Sequence, residues 1–384
     1  MSNKFYKLSF FKVKLKTPSR SDILIYDEVG SDVIINNIGQ YTFEILHVRY
    51  EQINISVLIR SLWKRITCNT LSLSSIYIDY YIKLVSPSLI MTCIDNNISF
   101  YEISSRHKSV KTVVIQNGYR ANGHLFDRLK QLKKEGLHAN YLFLFGKSIS
   151  KEYAKYFKGE VFYIGSMKNN THPHDSQKIL NSIGFVSQYR NCKMINIGDK
   201  RYSFNKLWDT PNKTVLSFLD RYSKEFNKTL FIIPSSKNSI SMKSEISYYK
   251  KLLGFDIKIL SCSNGYKSID MCEVSVAVDS TLGYESIARG NKSAIFSLRS
   301  YYEDWDDRGF GWPKFFPNSG LFWTNTPDTD FFTKIMDYLF HVSSDDWNRN
   351  LKEISYEDVI AYDPENHIFK SILNKEMGAS HYHK

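Results

Sequence analysis

The chain has 384 residues, more than a single hydrophobic core usually supports, so its length predicts two domains. With 42% hydrophobic and 23% charged residues, 18 glycines and 9 prolines, it is not a collagen-like, linker-like or low-complexity protein. The excess of 51 Lys and Arg over 39 Asp and Glu gives a formal net charge of +12, which favours an anionic partner: nucleic acid, a phosphorylated ligand or an acidic lipid surface.

The first half of the sequence alternates short apolar runs with longer amphipathic ones. The predicted strands are Ser21–Tyr26, Ser88–Cys93, Lys111–Ile115, Tyr141–Phe145 and Val161–Ile164. The apolar run Tyr41–Leu46 is not assigned to a strand or a helix. The predicted helices are Ser56–Trp63, Ile76–Lys83, Leu125–Glu135 and Ser150–Phe157. Strands that alternate with helices in this way indicate parallel βαβ units.

The polar segment Met167–Lys178 interrupts this alternation, and we place an interdomain linker there. Beyond it, the predicted strands are Ile179–Val186, Thr229–Ile233, Ile257–Leu260, Val274–Val278 and Ser293–Leu298. The predicted helices are Val215–Phe226, Ser244–Leu253, Leu282–Ala288, Asp328–Leu339, Asp346–Leu351 and Ile368–Glu376. The expected fold is α/β, with Rossmann-like doubly wound domains at residues 1–170 and 171–345 and a helical tail at 346–384.

Two doubly wound domains bring the carboxyl ends of their strands to the two sides of one cleft, where ligands bind. The strongest candidate follows the apolar run Val274–Val278, where a polar segment leads into a helix. Unpaired N–H groups at such a helix start favour an oxyanion, which Gly283 would let approach, while Glu285 would accept hydrogen bonds from ribose hydroxyls. The alternative is an ordinary Ser or Thr helix cap. The candidate nucleotide-binding residues here are Ser280, Thr281, Leu282, Gly283 and Glu285.

In the first half, polar residues follow two of the predicted strands. Asp95, with Asn97, comes directly after Ser88–Cys93, and its carboxylate would serve as general base or nucleophile, or else form an Asx turn. The run Lys111–Ile115 is followed by candidate residues Gln116, Asn117 and Arg120. A guanidinium there offers a planar fork to a carboxylate or phosphate, and the alternative is a hairpin turn.

In the second half, two more strand ends carry polar residues that suit a base-plus-phosphate ligand, with a solvated loop as the alternative. They supply the candidates Ser187, Gln188, Tyr189, Arg190, Ser235 and Ser236. His172 and His174 flank Pro173 without any zinc-binding pattern around them, so we interpret them as part of a linker turn and predict no metal site.

The five cysteines lack CxxC spacing, so neither a disulfide framework nor a structural zinc is expected. The N-terminus has scattered charges and no apolar core of a secretory signal, and no stretch approaches about 18 uncharged apolar residues. These features predict a cytoplasmic protein and leave peripheral membrane contact open. No sequence pattern of a nucleic-acid-binding module is present, so no nucleic acid partner is predicted.

Five segments of the chain together resemble one protein family. They are VVIQNGYR, LFGKSISKEYAKYFKGEVFYIGSMKNN, FVSQYR, VDSTLGYESIARGNKSAIFSLR and FGWPKFFPNSGLFWTN. In this order, over about residues 20–330, they look like the surface carbohydrate biosynthesis proteins of bacterial capsule and O-antigen clusters. Those proteins resemble GT-B glycosyltransferases related to retaining transferases of Kdo and of other nonulosonic acids (pseudaminic, legionaminic and sialic acids).

The resemblance implies a GT-B-like fold and transfer of a CMP-activated acidic sugar to a glycan or lipid-linked acceptor, with no cofactor and no catalytic metal. Ser280–Glu285 matches the family's nucleotide-side loop, and Arg190 or Arg299 would meet the leaving phosphate. Gln116–Arg120 departs from the Kdo branch, which has acidic residues there, so we assign the catalytic carboxylate to Asp95 and favour a nonulosonic acid other than Kdo.

Retention and inversion both stay open, with Asp95 as nucleophile in one case and base in the other. The alternative function is a non-catalytic glycan-binding or assembly protein of the same export pathway. A basic helix with Lys130, Lys133 and Lys134 would hold the protein near anionic lipid at the inner membrane.

Overall fold

The computed structural model describes residues 12–49, 52–67, 71–120, 125–174, 177–190, 194–197, 200–202, 204–235 and 239–381. The strands are β1 Lys12–Lys14, β2 Ile23–Tyr26, β3 Phe43–Leu46, β4 Gln52–Asn54, β5 Leu89–Thr92, β6 Lys111–Ile115, β7 Leu137–Leu144, β8 Phe157–Tyr163, β9 Ile179–Val186, β10 Ile195–Ile197, β11 Lys200–Tyr202, β12 Thr229–Ile233, β13 Lys258–Ile259, β14 Cys272–Ala277, β15 Ser293–Phe296 and β16 Trp323–Thr324.

The helices are α1 Ser31–Ile35, α2 Ile55–Thr67, α3 Leu73–Val85, α4 Ile98–Arg106, α5 Phe126–Gln131, α6 Lys147–Ala154, α7 Met167–Thr171, α8 Phe204–Glu225, α9 Ser239–Leu253, α10 Gly265–Met271, α11 Thr281–Ala288, α12 Leu298–Tyr302, α13 Thr329–His341, α14 Ser344–Glu353 and α15 His367–His381. Single 3₁₀ turns lie at Asp306–Arg308, Tyr356–Asp358 and Pro364–Asn366.

Within the described residues, two parallel sheets of six strands form the centres of two lobes. The first lobe is built on the order β3-β2-β5-β6-β7-β8, and its chain order reverses direction between β2 and β5. The second lobe is built on the order β13-β12-β9-β14-β15-β16 and reverses between β9 and β14. Both are doubly wound, and such reversals are the switch points at which open α/β sheets bind ligands.

The central strands are continuous apolar runs because helices cover both faces of each sheet. All four residues of β2 and of β5 are buried, and β15 is buried along its whole length. The predicted fold class is therefore confirmed: the chain is α/β, with two Rossmann-like sheets in a GT-B-like arrangement.

The C-terminal helix α15 returns to the first lobe. Phe369, Leu373 and Met377 are buried in one cluster with residues of β2, β5, β6 and β7. The ring of Phe369 meets that of Phe143 edge to face at 5.2 Å, and Tyr141 donates a hydrogen bond to Glu376 at 2.5 Å. The last helix thus completes the cover of the first sheet.

The segment predicted as a polar linker begins with a short, buried helix. Within α7, Asn169 and Asn170 are 0% and 2% exposed. Asn170 donates to the carbonyl of Ile164 at 2.7 Å and to the side chain of Asn366 at 3.0 Å. The two asparagine side chains of α7 are therefore buried and make internal hydrogen bonds.

Two glycines with nearly the same backbone conformation allow a test of how tightly the C-terminal segment packs. Gly165 and Gly136 have φ of 69° and 68°, but a Cβ on Gly165 would clash with the carbonyl oxygen of Ala361, whereas nothing lies within 4 Å of one on Gly136. We expect Gly136→Ala to cost about 1 kcal/mol for the left-handed conformation alone. Gly165→Ala should cost about 1–3 kcal/mol more, because the backbone segments at Gly165 and Ala361 must move apart to admit the Cβ.

Urea unfolding curves of the two variants measure this difference, and limited proteolysis checks whether residues 356–381 detach. Equal midpoints for Gly165→Ala and Gly136→Ala would contradict the close packing at Gly165.

Candidate functional site

The switch point of the second sheet brings together two of the predicted strand ends. Ser187 and Gln188 follow β9 directly, and Asp279 follows β14 after one residue. The side-chain oxygen of Gln188 accepts a hydrogen bond from the backbone N–H of Asp279 at 3.4 Å. Segments about 90 residues apart in the sequence are thereby joined at the place where doubly wound sheets bind ligands.

Helix α11 begins at this switch point without a side-chain cap. Ser280 occupies the N-cap position, but its hydroxyl makes no capping hydrogen bond. The structure therefore does not fit the alternative of an ordinary serine cap, and the first N–H groups of α11 lack a partner from that side chain. This leaves a helix start suited to an anionic oxygen.

Buried charges surround Asp279. Arg299 donates to Asp279 Oδ2 through Nε at 2.7 Å and also through Nη2, and Arg308 Nη1 lies 3.9 Å from the same oxygen. Burial would raise the pKa of Asp279, but the two guanidinium groups outweigh it and hold this pKa below its usual value. The Arg299 guanidinium also stacks on the ring of Trp208 at 3.9 Å.

Two polar atoms of this cluster are buried without a hydrogen-bond partner: Asp279 Oδ1 and Arg299 Nη1. Burying a polar atom without a hydrogen-bond partner costs free energy, and folded proteins contain few such atoms. One is an acceptor and the other a donor, so together they match a ligand that carries both a hydroxyl or amine and an anionic oxygen. Among the predicted site residues, Arg299 is the one that contributes such an atom.

Other residues predicted for nucleotide binding already have protein partners. Ser187 Oγ bonds to Tyr249 Oη at 2.8 Å, and Ser235 Oγ donates to the carbonyl of Tyr189 at 2.6 Å. Arg190 is exposed, and Ser236 lies outside the described residues.

Gly283, Leu282 and Glu285 face the interior of the second lobe, in contrast to the predicted contacts with a phosphate and a ribose. A Cβ on Gly283 would come within 2.5 Å of the Cβ of Ala277, so this glycine permits close packing of α11 on β14. Leu282 packs against Gly265 at the start of α10. Glu285 is 5% exposed and accepts from Tyr266 Oη at 3.1 Å, and burial raises its pKa.

In the first lobe, Asp95 follows β5 as predicted, but its carboxylate is fully buried and engaged. Arg120 donates to it through Nε at 2.7 Å and through Nη2, while Tyr153 Oη donates to Oδ2. The backbone N–H of Asn117 adds a contact at 3.2 Å. We expected this carboxylate to project into the cleft; the ion pair with Arg120 holds it inside the lobe instead. The catalytic role of Asp95 stays a prediction.

The predicted residues after β6 form a structured loop. Gln116 accepts from the backbone N–H of Phe145 at 2.9 Å and donates to the carbonyl of Gly118 at 2.9 Å, which ties β6 to β7. Asn117 is exposed, and its side-chain oxygen accepts from Arg120 Nη2 at 2.6 Å. The Arg120 fork, predicted to meet a carboxylate or a phosphate, thus holds the carboxylate of Asp95 and the side-chain oxygen of Asn117, both from the protein itself.

This loop is also the point where the lobes meet. The backbone N–H of Tyr119 donates to Thr281 Oγ1 at 3.1 Å, and Tyr119 Oη donates to the carbonyl of Trp312. The ring of Tyr119 stacks on that of Tyr284 with centroids 4.3 Å apart and planes 11° apart. The carboxyl ends of the two sheets therefore face each other, and the first lobe covers the start of α11.

A cavity of about 530 Å³ lies in the first lobe, near the ends of β2 and β3. Its lining combines apolar and charged side chains, including Leu46, Arg49, Leu58, Tyr77 and Arg106. Asn97, predicted as a catalytic residue, lines this cavity and accepts from the backbone N–H of Ser99 at 3.2 Å, so it also caps α4.

Within the described ranges, no three or more His, Cys, Asp and Glu side chains are grouped so that they could hold a metal ion. Nor does any helix in the described part of the chain have the length and apolar character needed to cross a bilayer.

Sequence reasoning missed three contributors to this region. Asp279 directly continues the apolar run Val274–Val278, so its position at a strand end was a usable signal. Tyr119 lies between the candidate residues Asn117 and Arg120, but no sequence pattern there predicts contact with the other lobe. Trp208 comes from α8, some 90 residues before Arg299, and no local pattern links them.

Two doubly wound lobes that face each other through their strand ends define a GT-B-like protein with a candidate nucleotide site in the second lobe. A family model described as "putative O-antigen biosynthesis protein" matches residues 113–377, more than half of the chain. The chain belongs to that family, and its role lies in surface carbohydrate biosynthesis. No curated protein sequence matches the chain.

Several solved structures are similar to the chain at low identity. The UDP-GlcNAc 2-epimerase of Methanocaldococcus jannaschii, in complex with UDP-GlcNAc and UDP, is 9% identical with a TM-score of 0.45, over 87% of this chain and 99% of the other. The wall teichoic acid polymerase TagF is 10% identical with a TM-score of 0.47, over 95% and 90%. The Neisseria meningitidis UDP-GlcNAc 2-epimerase bound to UDP-GlcNAc is 9% identical with a TM-score of 0.42, over 94% and 98%.

Proposed function

We propose that this protein is a glycosyltransferase that binds a nucleotide-activated sugar in the second lobe and transfers the sugar to a surface-glycan acceptor held by the first lobe. The observation that carries the proposal is the second switch point, where an uncapped helix start adjoins the unpaired Asp279 Oδ1 and Arg299 Nη1. Membership in an O-antigen biosynthesis family supports the glycan substrate class.

The donor we propose is a CMP-linked nonulosonic acid. The N–H groups at the start of α11, the Ser280 hydroxyl and Arg299 would stabilise the phosphate of the CMP leaving group. Asp279 Oδ1 would accept from a ribose hydroxyl or from the exocyclic amine of the base. These groups would offset the second negative charge that develops on the CMP phosphate as the bond from its oxygen to the anomeric carbon breaks.

The donor would reach this site when the lobes separate at the Tyr119–Thr281 contact. That contact covers the start of α11, and Asp279 and Arg299 are both buried behind it. Closure over the donor would then bring the first lobe against the sugar, which excludes water from the transfer step.

The acceptor would occupy the cavity of about 530 Å³ in the first lobe. Its mixture of apolar walls, hydroxyls and guanidinium groups suits a glycan with a hydrophobic or anionic end. A lipid-linked acceptor would require the protein to work at the inner membrane surface, and the net charge of +12 favours peripheral contact with anionic lipid there.

A donor screen tests the proposal directly. The protein is incubated with CMP-, UDP- and CDP-linked sugars, and the released nucleotide is measured by mass spectrometry. We expect release of CMP from a nonulosonic acid donor, and NMR of the product's anomeric carbon then distinguishes retention from inversion. Turnover of UDP- or CDP-sugars alone would overturn the CMP donor but not the transferase.

Thr281 offers a sharper probe of the donor site. We expect Thr281→Val to weaken CMP binding by about 10-fold or more, because a hydroxyl near a charged phosphate is lost. Calorimetric titration with CMP measures this change. Thr333→Val, which removes a hydroxyl that donates to the carbonyl of Thr329 within α13, is the matched control and should bind CMP like the parent protein. Equal affinities for both variants would remove Thr281 from the site.

The second candidate function is a non-catalytic glycan-binding or assembly protein of the same pathway. The closed contact over α11 is the observation that favours it, because a permanently closed lobe interface would not admit a donor. Glycan binding without release of any nucleotide in the donor screen would support this alternative.

A further inference from the structure

Helix α2 presents an apolar stripe to solvent. Ile59, Leu62, Trp63 and Ile66 are 61%, 46%, 75% and 82% exposed. Their spacing of three and four residues places them on one face of the helix, opposite the buried Val57 and Ser61. A soluble surface rarely exposes large apolar side chains in such a continuous group without a partner.

The flanks of this stripe are basic. α2 contains Arg60, Lys64 and Arg65 and has no acidic residue. Strand β1 pairs with β4, which leads directly into α2, and β1 together with the residues just after it adds the exposed Lys12 and Lys16. An apolar face with a tryptophan and cationic flanks is the pattern of a helix that lies in the interface of an anionic bilayer.

We propose that the exposed face of α2 docks the protein on an anionic lipid bilayer, with Ile59, Leu62, Trp63 and Ile66 inserted among the lipids and Arg60 and Lys64 at the head groups. A second copy of the chain is a poorer fit, because a symmetric contact through α2 would bring these cations towards each other.

The docking face lies beside the first-lobe cavity. Leu58 of α2 lines the cavity, and the next residue, Ile59, belongs to the exposed stripe. A lipid-linked acceptor would therefore have a short route from the bilayer to the cavity. This step rests on the proposed function, whereas the docking itself does not.

The basic helix α5 is a weaker candidate for the same role. Its apolar residues Phe126 and Leu129 are buried, and Lys134 just beyond it pairs with Glu102 at 3.3 Å. α5 thus offers cations without an apolar face, which favours α2 as the docking surface over the lysines identified from the sequence.

Flotation with vesicles tests the proposal. The full chain is mixed with vesicles of phosphatidylcholine containing phosphatidylglycerol, or of phosphatidylcholine alone, and bound protein is measured after centrifugation. We expect binding to the anionic vesicles, and the double variant Trp63→Ser, Ile66→Ser should reduce the partition coefficient by about 10-fold or more. Arg60→Gln with Lys64→Gln should weaken binding most at low salt.

Leu180→Ser is the matched control, since Leu180 is 75% exposed on the second lobe and should not affect flotation. CMP binding should be unchanged in every variant, which separates failure of docking from failure of the donor site. Equal flotation of parent protein and stripe variant, or no flotation at all, would overturn the proposal. A parent dimer that becomes monomeric in Trp63→Ser, Ile66→Ser would assign the stripe to self-association instead.

Discussion

Arg289→Met should lower the free energy of unfolding by about 3–5 kcal/mol, the cost of leaving a buried charge without its partner. The Arg289 side chain is 0% exposed and donates two hydrogen bonds to Asp270, at 2.9 and 2.8 Å. It also donates to Asn169 Oδ1 at 2.7 Å and to the carbonyl of Pro173 at 2.9 Å. Its loss removes the guanidinium counter-charge of the Asp270 carboxylate, which still accepts a hydrogen bond from Asn291 Nδ2 at 2.7 Å, and it removes the contacts of Arg289 with α7.

Urea unfolding followed by circular dichroism measures this effect. Arg349→Met is the matched control, because Arg349 pairs with Asp346 on the exposed surface of α14 and its removal should cost at most about 1 kcal/mol. The double variant Arg289→Met, Asp270→Leu should recover part of the loss, since it removes both charges. A cost for Arg289→Met no greater than that for Arg349→Met would show that Arg289 does not hold α7 to the second lobe.

Sequence reasoning predicts the buried strands well and misses helix α7, which Arg289 contacts. Strands β6 and β12 have the predicted bounds because sheets covered on both faces leave continuous apolar runs in the sequence. Helix α7 was not predicted, since the amide of Asn169 is satisfied by Arg289, 120 residues further along the chain. Polar residues buried by distant partners look the same in a sequence as polar residues in a loop.

For the candidate site, the sequence likewise predicts where residues lie but not which side chains they contact. The rule that ligands bind at strand ends places Asp95, Ser187 and Ser280 at the carboxyl edges of the sheets, where the structure has them. It does not predict which side chains pair with each other once they are there. Asp95 with Arg120 and Asp279 with Arg299 are ion pairs set by tertiary packing, and neither pair has a local pattern.

Asp95→Asn should reduce sugar transfer by about 100-fold or more while CMP affinity stays within about 3-fold. The carboxylate anchors Arg120 and Tyr153, and the loop that it holds carries Tyr119 to the start of α11. An amide in its place turns an N–H donor towards Arg120 and leaves that buried cation without its counter-charge. Single-turnover kinetics with a CMP-sugar and titration with CMP measure the two effects separately. Unchanged turnover would remove Asp95 from the mechanism.

Arg120→Met distinguishes a positioning role of Asp95 from direct participation in the chemistry. If Asp95 acts by holding the loop, Asp95→Asn, Arg120→Met and the double variant should lose similar amounts of activity, because residues that act as a unit are not additive. If Asp95 is itself the nucleophile or base, Arg120→Met should retain far more activity than Asp95→Asn. The full burial of Asp95 and its bidentate contact with Arg120 lead us to expect the first result.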